Sequence, residues 1–203
     1  MQHVHPAQER EAQRIPPELP REKIRVVPNG VDPVFTPEGE RADGDYALAV
    51  ATLEPRKNLR RAAAAAERLG LELRVVGERG WGDVELGGAT RLGRLDDEAL
   101  ARQYRGARCL VYPSLYEGFG IPVVEAMACG TPVVTSSGGA TEEVAGGAAV
   151  LVDPLDVAAI AAGIERAAAD GEALRARGLE RARAFSWDET ARRTRAVYEE
   201  AAS

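Results

Sequence analysis

The sequence predicts one domain of the α/β class, built on a doubly wound parallel sheet. From residue 23 onward, short apolar segments alternate with helical patterns, which is typical of βαβ units and a parallel sheet. The chain has 203 residues, of which 45% are hydrophobic and 29% are charged, so it is long enough for one good core and short for two. We therefore expect a single folded domain with a terminal arm.

Strands and helices are predicted in alternation along this domain. Residues 1–22 are charged and proline-rich and are interpreted as an arm or linker, which leaves residues 23–203 for the domain. Asp96 and Ser186 precede acidic residues and are predicted to be helix N-caps. Strands are expected at residues 24–27, 46–53, 71–77, 89–93, 108–113, 132–136 and 149–152. Helices are expected at residues 58–69, 96–106, 121–129, 140–145, 156–169, 171–184 and 188–202.

Composition argues against several classes of function. The net charge of -6 argues against a general nucleic-acid binder, because such proteins carry a basic excess. The first residues lack the apolar core of a signal peptide, and no apolar run approaches the roughly 20 residues of a membrane span, so a cytoplasmic location is expected. His3 and His5 are the only histidines and lie in the arm, which argues against histidine-based catalysis in the domain. Cys109 and Cys129 lack CxxC spacing and are interpreted as small buried hydrophobic residues.

Three βα loops carry residues suited to ligand binding. They span residues 52–58, 77–82 and 114–120. A doubly wound sheet binds ligands outside the carboxyl ends of its strands, so all three loops are expected on one rim. Neither a G-x-G-x-x-G motif after the first strand nor a G-x-x-x-x-G-K-[ST] motif is present, which argues against dinucleotide and P-loop sites.

Arg56 and Lys57 lie just before a predicted helix, where backbone N–H groups and the macrodipole favour an anion. Two adjacent cations at this point fit a diphosphate clamp. A solvated pair of charges on a loop is the alternative. Lysine is scarce, with 2 lysines against 24 arginines, so the position of Lys57 on the rim gives the clamp added weight.

Glu125 lies in an otherwise apolar helix pattern, where a lone charge needs a partner or a ligand. Pro122 suits the first turn of this helix, and Gly118 and Gly120 leave the preceding loop open to close backbone approach. Side chains lean toward the helix N-terminus, so Glu125 can reach back to an oxygen-rich, anionic ligand in that hollow. The alternatives are a structural carboxylate held by a nearby arginine for Glu125, and a surface charge for Glu117.

These features occur together in the run of residues 112–134, which contains Glu117, Gly118-Phe-Gly120, Glu125-Ala-Met-Ala and Gly130-Thr-Pro-Val-Val. The run resembles the donor-binding domain of retaining glycosyltransferases of family 4. The resemblance covers about residues 23–202 and implies the C-terminal half of a GT-B fold, with a Rossmann-like sheet. The other matching motifs are Val26-Val-Pro-Asn-Gly-Val-Asp32, Glu54-Pro-Arg-Lys-Asn58, Leu92-Gly-Arg-Leu95, Glu142-Glu-Val-Ala-Gly146, Val152-Asp-Pro154 and Phe185-Ser-Trp187.

The resemblance implies a nucleotide-sugar donor, with UDP or GDP as the nucleotide, and retaining transfer of a hexosyl group without a metal or other cofactor. Glu125 would accept from the ribose hydroxyls, as a carboxylate can from two vicinal OH groups. Glu117 would contact the transferred sugar, while Arg56 and Lys57 would neutralise the departing phosphate. The remaining donor contacts implied by the resemblance are Gly77, Arg94 and Leu95 for the base, and Gly118, Phe119, Gly120 and Ile121 for the sugar and diphosphate.

The resemblance also implies an acceptor-binding N-terminal domain that this chain lacks, so transfer by the chain alone is not expected. The helix at 188–202 would cross back toward that domain, and the full enzyme is compatible with peripheral association at the inner membrane face. A stand-alone nucleotide-sugar binding module remains the main alternative. An epimerase or a phosphorylase with the same fold is a further one. A phosphorylase would need a lysine to carry pyridoxal phosphate, and the chain has only Lys23 and Lys57. One departure is that Val-Ala-Thr occupies residues 50–52, where many relatives carry a Gly-Arg pair, and Arg56 is the candidate replacement.

Overall fold

The computed structural model describes residue 20, residues 23–82 and residues 84–202. Most of the arm predicted at 1–22 lies outside the described residues. Six parallel strands form one sheet in the order β3-β2-β1-β4-β5-β6, which is the order of the Rossmann fold. The strands are β1 (Tyr46–Val50), β2 (Glu72–Val76), β3 (Thr90–Gly93), β4 (Cys109–Tyr112), β5 (Val133–Ser136) and β6 (Val150–Val152).

Seven α-helices are formed by the described residues and confirm the predicted alternation. They are α1 (Leu59–Arg68), α2 (Asp97–Gly106), α3 (Ile121–Ala128), α4 (Ala140–Ala145), α5 (Val157–Ala169), α6 (Gly171–Ala182) and α7 (Trp187–Ala201). The two predicted N-caps are confirmed, since Asp96 Oδ1 accepts from the Ala99 amide at 2.8 Å and Ser186 Oγ accepts from the Glu189 amide at 3.2 Å.

The core has two layers because successive residues of each strand face opposite sides of the sheet. Ala47 and Ala49 of β1 face the layer formed by α1 and α5. Tyr46 and Leu48 of the same strand face the layer formed by α2, α3 and α4. Both cysteines are buried in these layers, as predicted. The α/β, doubly wound class is therefore confirmed.

The strand predicted at residues 24–27 is wrong. Residues 24–27 adopt no strand, and the sheet ends at β3 and β6. The chain instead packs against the junction of α6 and α7, where Val31 forms a single parallel bridge with Ser186 and its amide donates to the Phe185 carbonyl at 3.1 Å. Val26 is 77% exposed.

The strand order places a topological switch point between β1 and β4. The loops that follow these two strands leave in opposite directions, so a crevice opens at their carboxyl ends. Within the described part of the chain, no helix has both the length and the apolar character needed to cross a membrane.

Candidate functional site

A cavity of about 460 Å³ lies at the switch point. It is bounded by the ends of β1, β2 and β4 and by the start of α3. The residues that line it are Asn29, Val50, Ala51, Thr52, Lys57, Val76, Gly77, Glu78, Arg94, Leu95, Tyr112, Glu117, Phe119, Gly120, Ile121 and Pro122. The three predicted rim loops thus contribute to one cavity, as expected from the topology.

The loop after β1 holds the two cations in a fixed frame. Residues Pro55–Lys57 form one 3-10 turn, and Asn58 then takes a left-handed conformation with φ of 58° before α1 begins. The buried side-chain amide of Asn58 donates through Nδ2 to the carbonyls of Pro113 at 2.9 Å and Pro154 at 2.7 Å. The Leu115 amide donates to the Arg56 carbonyl at 2.8 Å. These bonds tie the cation loop to the loops that follow β4 and β6.

Lys57, Tyr112 and Glu117 form a buried triangle on the cavity wall. Glu117 Oε1 lies 2.6 Å from Lys57 Nζ and accepts from the Tyr112 hydroxyl at 2.6 Å. Lys57 Nζ also donates to the Tyr112 hydroxyl oxygen at 3.1 Å. Lys57 is 9% exposed and the Glu117 side chain is 9% exposed, so the solvated-pair and surface-charge alternatives are wrong for these two residues.

Arg56 lies on the other side of the Glu117 carboxylate. Its Nη1 is 3.2 Å from Glu117 Oε2, and its Nε donates to Glu54 Oε2 at 2.8 Å. The Arg56 side chain is 37% exposed, and Arg56 is not one of the described residues that line the cavity. It reaches the cavity only through Glu117.

Burial and pairing act in opposite directions on these groups. Burial raises the pKa of Glu117, but the hydrogen bonds from Lys57 and Tyr112 outweigh it and hold the pKa below its ordinary value. Burial, together with the adjacent Glu117 carboxylate, raises the pKa of Tyr112 well above its ordinary value. At neutral pH Glu117 is therefore a carboxylate and Tyr112 a neutral phenol.

The start of α3 forms another wall of the cavity. Gly120 has φ of 101°, a conformation that favours glycine, and precedes Ile121 at the first helical position, with Pro122 next. Phe119 lines this cavity and also a second one of about 460 Å³, which Gly118 lines as well. Pro122 has no N–H group and the Val123 N–H donates to the Gly120 carbonyl at 2.9 Å, so the attraction for an anion at this end of the helix rests mainly on the helix dipole.

Gly77, Arg94 and Leu95 lie on the side of the cavity formed by β2 and β3. Gly77 has φ of 148°, and a Cβ added there would lie 2.0 Å from the Ala51 carbonyl oxygen. Leu95 is half-buried against the α2 layer. The Arg94 side chain is 79% exposed and pairs with Glu78 at 3.7 Å, which is a weak surface contact.

Glu125 is set apart from the triangle. Its Oε2 accepts from the hydroxyl of fully buried Tyr104, on α2, at 2.8 Å. Burial raises the pKa of Glu125 to about 7, with the nearby Asp97 adding to the effect and the Tyr104 hydrogen bond opposing it. Among the described residues that line the cavity, Glu125 is not included. The side chain that bonds to Glu125 is thus a tyrosine, whereas the interpretation of Glu125 as a structural carboxylate expected an arginine.

Three residues of the site were missed by the sequence analysis, namely Tyr104, Tyr112 and the side chain of Asn58. Tyr112 ends an apolar strand and Tyr104 follows an apolar helix stripe, so both patterns indicate core residues. A hydroxyl at the end of a buried strand beside a loop that carries a glutamate was the one available signal for Tyr112. For Asn58, its tolerance of left-handed conformations was the corresponding signal.

Comparisons with known proteins identify a family. Residues 33–185 match the family described as "Glycosyl transferases group 1". The O-antigen chain mannosyltransferase B of Escherichia coli is 42% identical over 75% of this chain and 45% of its own length. The MMP alpha-(1->4)-mannosyltransferase of Mycolicibacterium hassiacum is 38% identical over 89% of this chain and 49% of its own length. The chain thus spans about half the length of these relatives.

Solved structures support the same fold. The sucrose-phosphate synthase of Thermosynechococcus elongatus superposes with a TM-score of 0.80 and 28% identity, over 98% of this chain and 58% of its own. An Anabaena protein, HepE, whose structure contains UDP and glucose, superposes with a TM-score of 0.64 and 19% identity, over 78% of this chain and 48% of its own. At that identity the second likeness concerns the fold alone.

Proposed function

Since the chain belongs to the glycosyl transferases group 1, we propose that it is the donor-binding part of a retaining hexosyltransferase of family 4 that uses a nucleotide-sugar. The observation that carries the proposal is the cavity at the switch point, where buried Lys57 and Glu117 face the glycine-rich start of α3. Its volume of about 460 Å³ falls within the range of small-molecule sites.

The donor is proposed to lie along this cavity from base to sugar. Gly77, Arg94 and Leu95, which line the side of the cavity formed by β2 and β3, are proposed to lie near the base. Glu125, which lies outside the lining of the cavity, is proposed to accept from the ribose hydroxyls. The diphosphate is proposed to lie between Lys57 and the first turn of α3, where a cation and the positive end of the helix dipole converge.

The sugar is proposed to contact Glu117 and the backbone of residues 118–121. Departure of the nucleoside diphosphate leaves charge on the phosphate. Lys57 and the helix N-terminus are proposed to neutralise it, with Arg56 contributing from behind Glu117 and without a metal or other cofactor. Retention requires the acceptor to attack from the face that the diphosphate leaves. The acceptor itself is proposed to bind to a separate N-terminal domain.

The names of the related proteins indicate which sugar to test first. Both curated relatives described above are named mannosyltransferases, which makes a mannosyl nucleotide the leading candidate. A binding module without transferase activity is the second candidate, because the chain spans about half the length of these relatives. Transfer activity after addition of an acceptor domain would separate the two functions.

The proposal is tested by saturation-transfer NMR with UDP-glucose, GDP-mannose and ADP-glucose, followed by calorimetry. Lys57→Ala removes a charge-assisted contact and is expected to weaken binding of the nucleotide-sugar by about tenfold or more. Lys23→Ala is the matched control, because Lys23 is the other lysine and is exposed. Failure of all three nucleotide-sugars to bind would overturn the donor-domain proposal, and equal affinity of Lys57→Ala and Lys23→Ala would overturn the role of Lys57.

A further inference from the structure

The cations that would bind a diphosphate are already paired with carboxylates. Lys57 Nζ lies 2.6 Å from Glu117 Oε1, and Arg56 Nη1 lies 3.2 Å from Glu117 Oε2. Arg56 is also bonded to Glu54 at 2.8 Å. Two positive and two negative side chains therefore balance each other. A nucleoside diphosphate entering the cavity meets a closed ion pair and has no open positive site among these four described residues.

We propose that Glu117 is the internal counter-anion of Lys57, that the diphosphate of the donor displaces it, and that Tyr112 is the positioning residue that retains Glu117 during this exchange. The inference rests on the proposed function and extends it to the order in which the charges pair. In the exchange Lys57 turns from the carboxylate to the diphosphate, and the freed carboxylate becomes available to the hydroxyls of the sugar.

Glu117 is the carboxylate displaced because it shares the cavity wall with Lys57 and Tyr112. Glu54 borders a different cavity, near the start of α1. A diphosphate that approached Lys57 while Glu117 stayed in contact with it would bring like charges together at short range, which is costly in a buried site. Rotation of the Lys57 side chain toward the diphosphate moves the bound anion away from Glu117 without movement of the backbone.

Tyr112 has the geometry to retain Glu117 after the exchange. Its hydroxyl hydrogen is donated to Glu117 Oε1 at 2.6 Å, while its oxygen accepts from Lys57 Nζ at 3.1 Å. The bond to Glu117 does not depend on Lys57, so it persists when the ammonium turns away. Tyr112 is 3% exposed and ends β4, whose neighbour β5 donates from Thr135 Oγ1 to the Tyr112 carbonyl at 3.0 Å. The phenol is therefore anchored to the sheet and is a rigid reference for the carboxylate.

The first test compares Glu117→Gln with the unaltered chain by calorimetry, using UDP, GDP and ADP and the nucleotide-sugars UDP-glucose, GDP-mannose and ADP-glucose. Removal of the competing charge is expected to tighten binding of the nucleoside diphosphate by about fivefold to tenfold. The preference for the nucleotide-sugar over its diphosphate is expected to disappear. Glu165→Gln, at an exposed position on α5, is the matched control and is expected to change neither affinity.

The second test uses Tyr112→Phe, which removes one oxygen atom and keeps the ring. Affinity for the nucleoside diphosphate is expected to stay close to that of the unaltered chain, while affinity for the nucleotide-sugar falls by about tenfold, the factor expected for one charge-assisted hydrogen bond. Tyr198→Phe, 71% exposed on α7, is the control. Equal loss of both affinities would show a structural role for Tyr112 and overturn its part of the proposal.

A measurement on the unaltered chain covers the case in which a variant does not fold. Carboxyl carbon NMR of labelled glutamate follows the pKa of Glu117, which the Lys57 and Tyr112 hydrogen bonds hold below its ordinary value. Saturation with the nucleoside diphosphate is expected to raise that pKa, because Lys57 leaves. An unchanged pKa, or weaker diphosphate binding by Glu117→Gln, would overturn the exchange while leaving the donor-domain proposal intact. Absence of any nucleotide binding by the unaltered chain would overturn both.

Discussion

The buried carboxylate of Glu125 lowers the stability of the free protein, and its replacement by glutamine is expected to raise it. The glutamine keeps the length of the side chain and still offers an oxygen to the Tyr104 hydroxyl, which lies 2.8 Å from Glu125 Oε2. Only the ionisable group is removed. The substitution therefore isolates the cost of a charge in an otherwise apolar helix, whose other buried members include Val124 and Ala126.

The magnitude follows from the pKa of Glu125, which burial raises from 4.5 to about 7. The folded protein thus binds the proton more tightly than the unfolded chain does. Stability is favoured while Glu125 is protonated and falls as pH rises from 4.5 through 7. Because one pKa unit corresponds to about 1.4 kcal/mol, the ionised form costs the fold up to about 3 kcal/mol above neutral pH.

The assay is urea unfolding of both proteins at two pH values. We expect Glu125→Gln to raise the free energy of unfolding by about 3 kcal/mol near pH ~8 and by less than about 1 kcal/mol near pH ~5. Glu165→Gln, on the exposed face of α5, is the control and should show no such dependence on pH. The same Glu125 variant should bind the nucleotide-sugar more weakly, since an uncharged amide is a poorer acceptor for ribose hydroxyls.

A gain in stability that is the same at both pH values would refute this reasoning. It would mean that the carboxylate is not destabilised by its surroundings and that any benefit of glutamine arises elsewhere. A loss of stability near pH ~8 would refute it more strongly, because it would show a net favourable charge contact for Glu125 in the folded protein.

Two further substitutions test the backbone that frames the cavity. Gly77→Ala places a Cβ 2.0 Å from the Ala51 carbonyl oxygen at a φ of 148°, and we expect a loss of more than about 2 kcal/mol in urea unfolding, against about 1 kcal/mol for Gly87→Ala, where φ is 54° and the space is open. Asn58→Ala removes two buried hydrogen bonds at a φ of 58° and should cost about 3 kcal/mol, while Asn58→Gly should cost about 1 kcal/mol less because glycine is unstrained there. Equal losses within either pair would contradict the role given to φ and to close contact.

The fold could be predicted largely because its signals are local. Apolar segments such as Cys109–Tyr112 are buried on both faces and alternate with capped helices, so periodicity and turn chemistry locate them without knowledge of their partners. The segment at 24–27 has a similar composition, yet it forms no strand. Whether a short apolar segment joins a sheet depends on where the rest of the chain holds it, and here the residues that follow are bonded to the junction of α6 and α7.

The candidate site could be predicted as a location but not as a set of contacts. Topology places Lys57 and Glu117 at the same rim, since both follow parallel strands. Their 2.6 Å ion pair joins loops that are 60 residues apart, and it depends on the direction of individual side chains. The same holds for Tyr104, which contacts Glu125 from another helix. No periodicity in the sequence records such pairings.

The double hydrogen bond of the Asn58 amide has a consequence for the rate at which ligands enter. Since one side chain fastens the cation loop to the carbonyls of Pro113 and Pro154, that loop cannot open without breaking contacts to two other segments at once. Rearrangement of the charged groups is then confined to rotation of side chains, without the opening of a loop, which takes microseconds or longer. We therefore expect association with a nucleotide to be a single kinetic phase, proportional to ligand concentration, with no slow step at this loop.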